Sequence, residues 1–182
     1  MKRMLSLLAL VMVASVAVAR GQSMGTLTEN GVAMDVKAAV ALLDADGPSL
    51  IFYLLPFQPT ADEIAKLQAE DGMWLLSKPS PDPKKWKSCP HGKFKLGWSF
   101  EKASVGDAKK ATVYVYGYSV GSEGSNINVN KFGTDVDVAV AGPVKAAQEV
   151  TLTSKGSDTL QKTTMAWDLK VKAKILPLKK KP

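Results

Sequence analysis

The single cysteine and the single histidine of this chain lie two positions apart, in Cys89-Pro90-His91. A thiolate and an imidazole at this spacing could hold a soft metal ion such as copper, with a methionine thioether as the third ligand. The candidates for that third ligand are Met24, Met34 and Met73. These residue types also suit a protein core, because methionine readily fills gaps between apolar side chains. Cys89 and His91 are thus a candidate metal site, and ordinary packing is the alternative.

A second candidate for chemistry is Ser119, which lies in a G-x-S-x-G motif from Gly117 to Gly121. In α/β-hydrolases this turn opens a helix, and the catalytic histidine follows the serine. Here a turn rich in Gly and Ser follows instead, and His91 precedes Ser119. A triad in another chain order stays open, because a triad is defined by its geometry. The alternative is that the glycines serve a loop.

The segment around Trp86 combines prolines, lysines and one aromatic ring. Lys84, Lys85 and Lys87 are its immediate basic neighbours, and together with Trp86 they form the candidate binding site. A basic loop with an exposed aromatic ring could bind an anionic polysaccharide through charge and stacking. In the alternative, the lysines are solvated and Trp86 packs against the core.

Two acidic patterns favour plain structural roles. Asp135 and Asp137 would lie about 7 Å apart on one face of a strand, a spacing that could serve glycoside hydrolysis. Alternating charge on the solvent face of a strand is far more common. Asp44 and Asp46 before Gly47 resemble a calcium loop, but the ligand spacing does not match an EF-hand. That segment is predicted to be a turn.

The composition excludes several classes of protein. With one Cys and one His, the chain cannot form a closed Cys/His zinc site, an iron-sulfur cluster or an internal disulfide. The fractions of 46% hydrophobic and 23% charged residues are those of a globular protein. No cofactor is predicted from the sequence.

The first 19 residues read as a secretory signal peptide. Lys2 and Arg3 precede an apolar run, and Ala17-Val18-Ala19 fits the A-x-A cleavage rule. Cleavage lowers the net charge from +7 to +5, which is too small an excess to indicate nucleic-acid binding. We expect a periplasmic or secreted protein that meets the membrane only through this cleaved segment. Residues 20–182 are predicted to form one β-rich domain with a lysine-rich C-terminal tail.

The mature chain shows the period-two hydrophobic pattern of β-strands. Asn30-Gly31 predicts a type I′ hairpin, since both residues tolerate positive φ. An alternating strand runs from Val32 to Leu42, and the apolar run from Ser49 to Leu55 predicts a strand buried on both faces. Further strands are predicted around 73–76, 94–100, 111–120, 136–140, 150–152 and 167–175.

One helix is predicted, from Ala61 to Glu70. Thr60 and Glu63 form a capping box at its start. The prolines at 79, 81, 83 and 90 exclude regular structure in the segment that follows. Short strands and a single helix predict a mainly β protein, namely an antiparallel β-sandwich or a partly closed barrel with one short helix.

Three segments carry a resemblance to small exported bacterial β-rich proteins of unknown function. They are the opening from Gly25 to Gly31 with the strand after it, the acidic turn with the apolar strand that precedes Pro56, and the closing strand from Ala166 to Leu176. The resemblance implies an envelope β-protein. It supplies no catalytic residues.

Two functional classes remain after these exclusions. The first is a non-enzymatic envelope protein that binds another protein or an anionic polysaccharide through its loops or a sheet edge. The second is a small exported hydrolase or metal protein centred on Cys89, His91 and Ser119. The scarcity of catalytic side chains favours the first class.

Overall fold

The computed structural model describes residues 23–44, 49–97, 108–117, 120, 130–160 and 163–179. The predicted signal peptide, the acidic turn at 45–48, Trp98 and Ser119 lie outside the described residues. The strands, in chain order, are β1 Gly25–Glu29, β2 Val32–Asp35, β3 Ala38–Asp44, β4 Ser49–Leu55, β5 His91–Leu96, β6 Ala108–Tyr116, β7 Asn130–Ala141, β8 Glu149–Leu160 and β9 Thr163–Pro177. The mainly β class predicted from the sequence is confirmed.

The strands pair in the order β2-β1-β9-β3-β4-β5-β6-β7-β8, and β8 also pairs with β9. Seven strands from β3 to β9 therefore form a closed ring, and the β1–β2 hairpin is attached to the side of β9. All pairs are antiparallel except β3 with β9, where Ala41 lies beside Ile175. The antiparallel arrangement predicted from the sequence thus holds at every strand pair of the described residues except this one. An odd number of strands cannot alternate in direction all the way around a ring, so one pair must be parallel.

The Asn30-Gly31 hairpin is confirmed. Asn30 has φ 47° and Gly31 has φ 82°, as the mirror-image turn requires. The strand predicted from Val32 to Leu42 is interrupted, because the chain changes partner at Val36 and Lys37. The amide of Val36 donates to Gly25 O, whereas the amide of Lys37 donates to Leu55 O. The predicted strand is thus divided into β2 and β3.

Strand β4 separates the two parts of the core. Leu50, Phe52 and Leu54 face the interior of the ring. Ile51, Tyr53 and Leu55, on the other face, pack beneath an outer layer of helices. Every residue of β4 is buried, which confirms the prediction of a strand covered on both sides.

The outer layer contains the two short helices of the described chain. Helix α1 spans Ala61–Ala69 and carries the predicted capping box: the Glu63 amide donates to Thr60 Oγ1 and the Thr60 amide to Glu63 Oε2. The strand predicted at 73–76 is wrong, as is the prediction of a single helix, because Gly72–Ser77 forms a 3₁₀ helix. Its three-residue period places Gly72 and Leu75 together against β4. Among the described residues, no helix is long and apolar enough to cross a membrane.

Candidate functional site

The groove that we call the β2 groove lies between β2 and the Pro-rich loop (79–90) and has a volume of about 180 Å³. The loop has no helix or regular strand, as its prolines predict. Its turn is held by Asp82 O, which accepts from the amides of Lys85 and Trp86. The apolar wall of the groove consists of Met34, Pro56, Pro81, Trp86 and Pro90. The loop thus places two of the candidate binding residues, Lys85 and Trp86, opposite a strand edge.

Trp86 is almost completely buried, with 3% of its surface exposed, and it packs in the cluster that fills the ring. A Cβ on Gly117 would lie 2.9 Å from Pro90 Cα, so the backbone of that glycine closes tightly over this part of the loop. Trp86 therefore packs against the core, which is the alternative to an exposed ring that the sequence left open. The indole borders the groove but does not present an open face for stacking.

The lysines of the candidate binding site are exposed on the loop. Lys85 lines the groove, and its ammonium lies 3.6 Å from the carboxylate of Asp82. Lys84 and Lys87 are exposed beside the groove without lining it. The structure therefore brings Lys85 and Trp86 together in the groove and leaves the other two lysines on the surrounding surface.

Charges of both signs line the groove in equal number. Asp35 and Lys37 are on the strand side, and Asp82 and Lys85 are on the loop side. Asp35, Lys37 and Asp82 were not among the site residues predicted from the sequence. The first two lie on the polar face of an alternating segment, and no local pattern links that segment to a loop some 50 residues away.

The strand side of the groove is a sheet edge. Among the described strands, β2 pairs with β1 alone. The Val36 amide donates to Gly25 O, so Gly25 and Val36 form a hydrogen-bonded pair. Along an antiparallel ladder, hydrogen-bonded pairs alternate with pairs that are not hydrogen-bonded. Ala33 and Asp35 belong to the intervening pairs, so their N–H and C=O groups point away from β1. These two residues lie in the wall of the groove.

The candidate metal pair is buried under the outer layer. Both Cys89 and His91 have no exposed surface. The Cys89 thiol points to Pro90 O at 3.9 Å, and His91 Nδ1 lies 3.4 Å from Cys89 O. Burial raises the pKa of Cys89 to about 11 and lowers that of His91 to about 4. No group of three or more His, Cys, Asp and Glu side chains in the described part of the chain could hold a metal.

The proposed third metal ligands are spread over different environments. Met34 is in the core of the ring, Met24 packs at its border, and Met73 is exposed on the 3₁₀ helix. Ser119 lies outside the described residues, so the hydrolase alternative stays a prediction. On strand β7, Asp137 is exposed as the pattern predicts, and its carbonyl accepts from the Ser154 hydroxyl.

A polar cluster that could not be found from the sequence joins the outer layer to the ring of strands. Asp71 accepts from the Tyr53 hydroxyl at 3.1 Å and binds the Lys93 ammonium at 3.2 Å. The same ammonium lies over the rings of Tyr53 and Tyr114, at 5.6 and 5.7 Å. Burial, and then the charge of Asp71, raises the pKa of Tyr53 far above its usual value. These groups satisfy one another, so the cluster acts as an anchor for the 3₁₀ helix.

A second surface depression follows a gap between β7 and β8. The two strands pair from Ala139 to Ala141 and then separate, with Val136 and Asp137 on one side and residues 155–158 on the other. Trp167 lies below the gap and donates to Ser154 Oγ at 2.9 Å. The indole of Trp167 therefore closes the gap in the ring of strands where the β7–β8 hydrogen bonds end.

Comparisons with protein-family models, with curated proteins and with solved structures found no match to this chain.

Proposed function

We propose that this protein is an exported, non-enzymatic binding module that holds an extended peptide segment of an envelope protein in the β2 groove. In this proposal the ring of strands is one barrel rather than a two-sheet sandwich, and it serves as a rigid support for the groove. The ligand adds a strand to the free side of β2. The loop forms the opposite wall.

The observation that carries the proposal is the outward backbone of Ala33 and Asp35 inside a groove. An edge strand offers N–H and C=O groups at every second residue, and an extended peptide satisfies both kinds of group at this period. The other wall supplies apolar contact through Pro81, Pro90 and the border of Trp86. Backbone pairing would give affinity, and the wall would limit which side chains fit.

The charges of the groove favour a peptide over an anionic polysaccharide. Two carboxylates, Asp35 and Asp82, line the groove, and the second of them pairs with Lys85. A polyanion in this groove would meet repulsion as well as attraction. Lys84 and Lys87, outside the groove, are the remaining place where a polyanion could bind.

The test starts from linear decapeptides selected from a random display library on the immobilised mature protein. Each selected peptide is then titrated into the ¹⁵N-labelled protein. We expect the amide signals of Ala33 and Asp35 to shift and their hydrogen exchange to slow, because their N–H groups acquire partners. Selected peptides that leave both amides unchanged would overturn the proposal.

Ala33→Pro provides a variant that removes one docking donor and leaves the β1 ladder intact, since the lost N–H points away from β1. We expect it to abolish peptide binding while thermal unfolding shows a folded protein. The matched control is Lys84→Ala, which changes an exposed loop residue outside the groove. Dextran sulfate serves as the polyanion probe. If Lys84→Ala weakens dextran sulfate binding and no peptide binds, the polysaccharide alternative replaces the peptide proposal.

A further inference from the structure

We infer that the β2 groove selects a peptide that carries one basic and one acidic side chain two residues apart, and that Asp35 and Lys37 read this pattern. The inference rests on the proposed function, because it specifies the ligand of the same groove. It follows from the order of charges along the strand side.

Asp35 and Lys37 are two positions apart in the chain, and both are exposed in the groove wall. Met34 and Val36 point into the core, whereas Asp35 and Lys37 are exposed, so the alternation of side chains continues past the end of β2 at Asp35. An added strand has the same period of two, and its side chains at positions i and i+2 share one face. A ligand residue beside Asp35 and the residue two positions further can therefore meet charges of opposite sign.

The loop side does not cancel this pattern. Asp82 and Lys85 lie 3.6 Å apart and pair with each other, so each is partly neutralised by its neighbour. Gln58 Nε2 binds the backbone carbonyl of Lys37 and leaves the Lys37 ammonium out of that contact. The charges of Asp35 and Lys37 on the strand side should therefore influence a ligand more than the paired charges of Asp82 and Lys85 on the loop side.

A uniformly charged peptide would meet one attractive and one repulsive side chain on this wall. In a given strand direction, a peptide with mixed charges in the correct order meets two attractive side chains, whereas the reversed order meets two repulsive ones. The preferred order of the acidic and basic residues also shows in which direction the peptide strand runs relative to β2. In antiparallel addition the acidic residue precedes the basic one, and in parallel addition it follows.

Two peptides test the inference: Ser-Thr-Val-Lys-Val-Glu-Val-Thr-Ser and the peptide in which Lys and Glu are exchanged, both with blocked ends. Exposed ion pairs are individually weak, so we expect the wild-type protein to prefer one order by about tenfold, which corresponds to about 1.4 kcal/mol. The doubly substituted protein, Asp35→Lys with Lys37→Asp, should prefer the other order. The preference should shrink at high salt, because salt screens exposed charges.

Asp35→Asn provides a second variant that keeps the size of the side chain, and we expect it to reduce the preference without reversing it. If both peptides shift the amides of Ala33 and Asp35, and neither affinity changes between the wild-type protein and its charge variants, the charge pattern is wrong and the peptide-binding function stands. If neither peptide binds the wild-type protein, and no library peptide does so, the proposed function itself fails. If the preference is the same in the wild-type and exchanged proteins, other residues read the ligand and the inference is overturned.

Discussion

The imidazole of His91 lies flat on the phenol ring of Tyr116, with ring centroids 4.6 Å apart and planes within 3° of parallel. Both side chains are buried, and His91 Nε2 has no hydrogen-bond partner among the described residues. Burial lowers the pKa of His91 to about 4 and raises that of Tyr116 to about 12. The stacked pair is therefore uncharged in the folded protein at neutral pH.

This burial predicts a loss of stability in mild acid. Between about pH 6.5, the ordinary value for the unfolded chain, and about pH 4, the unfolded state binds a proton at His91 that the folded state does not. The free energy of unfolding should therefore be highest above this window and fall by about 3 kcal/mol across it. Urea denaturation at a series of pH values measures the fall.

His91→Phe is the matched variant, because it keeps an aromatic ring for stacking on Tyr116 and removes the titrating group. We expect the difference in unfolding free energy between the wild-type and variant proteins to change across the window from pH 6.5 to 4. A constant difference would show that His91 does not carry the acid sensitivity.

Cys89 should be inert in the folded protein. It has no exposed surface, and burial raises the pKa of its thiol to about 11, so the reactive thiolate is scarce at neutral pH. We expect no labelling by a thiol reagent under native conditions and full labelling in concentrated guanidinium chloride. A disulfide-linked dimer on a non-reducing gel, absent in Cys89→Ser, would contradict the buried position.

Trp86→Ala should destabilise the protein by about 3–5 kcal/mol, because it empties a large site in the core. Lys84→Ala, two positions earlier on the exposed side of the same loop, should change stability by less than about 0.5 kcal/mol. Chemical denaturation of the two variants gives the comparison. A stable Trp86→Ala protein that has lost ligand binding would instead favour a direct recognition role for the indole.

Gly156 is needed for the close packing of β8 on Trp167. A Cβ at this position would lie 2.9 Å from Cζ2 of the indole. We expect Gly156→Ala to cost about 1–3 kcal/mol through overpacking. Gly97→Ala is the control, since no atom of the described residues, apart from its chain neighbours, lies within 4 Å of its Cβ position. Equal unfolding free energies for the two variants would show that the indole moves aside freely.

Export with cleavage after Ala19 predicts a mature protein that begins at Arg20. N-terminal sequencing of the protein purified from the cell envelope checks this directly. Material that still begins at Met1 would show that the apolar segment is retained.

The features that the sequence by itself determined are those that depend on neighbours in the chain. The Asn30-Gly31 turn, the capping box at Thr60 and the alternation along β9 are local, because backbone preferences and periodicity act over a few residues. The 3₁₀ helix escaped this reasoning. Its form depends on the contact of Gly72 and Leu75 with β4, and a short apolar run by itself also suits a strand.

Only the tertiary structure decided which distant residues share a surface. The sequence around Trp86 is compatible with an exposed or a buried indole, and the tertiary structure buries it in the core. The ring also places the edge of β2 opposite the Pro-rich loop, which joins Asp35 with Lys85 in one groove. Such contacts join segments whose sequences carry no sign of each other, because they arise when strands far apart in the chain pair and bury a common core.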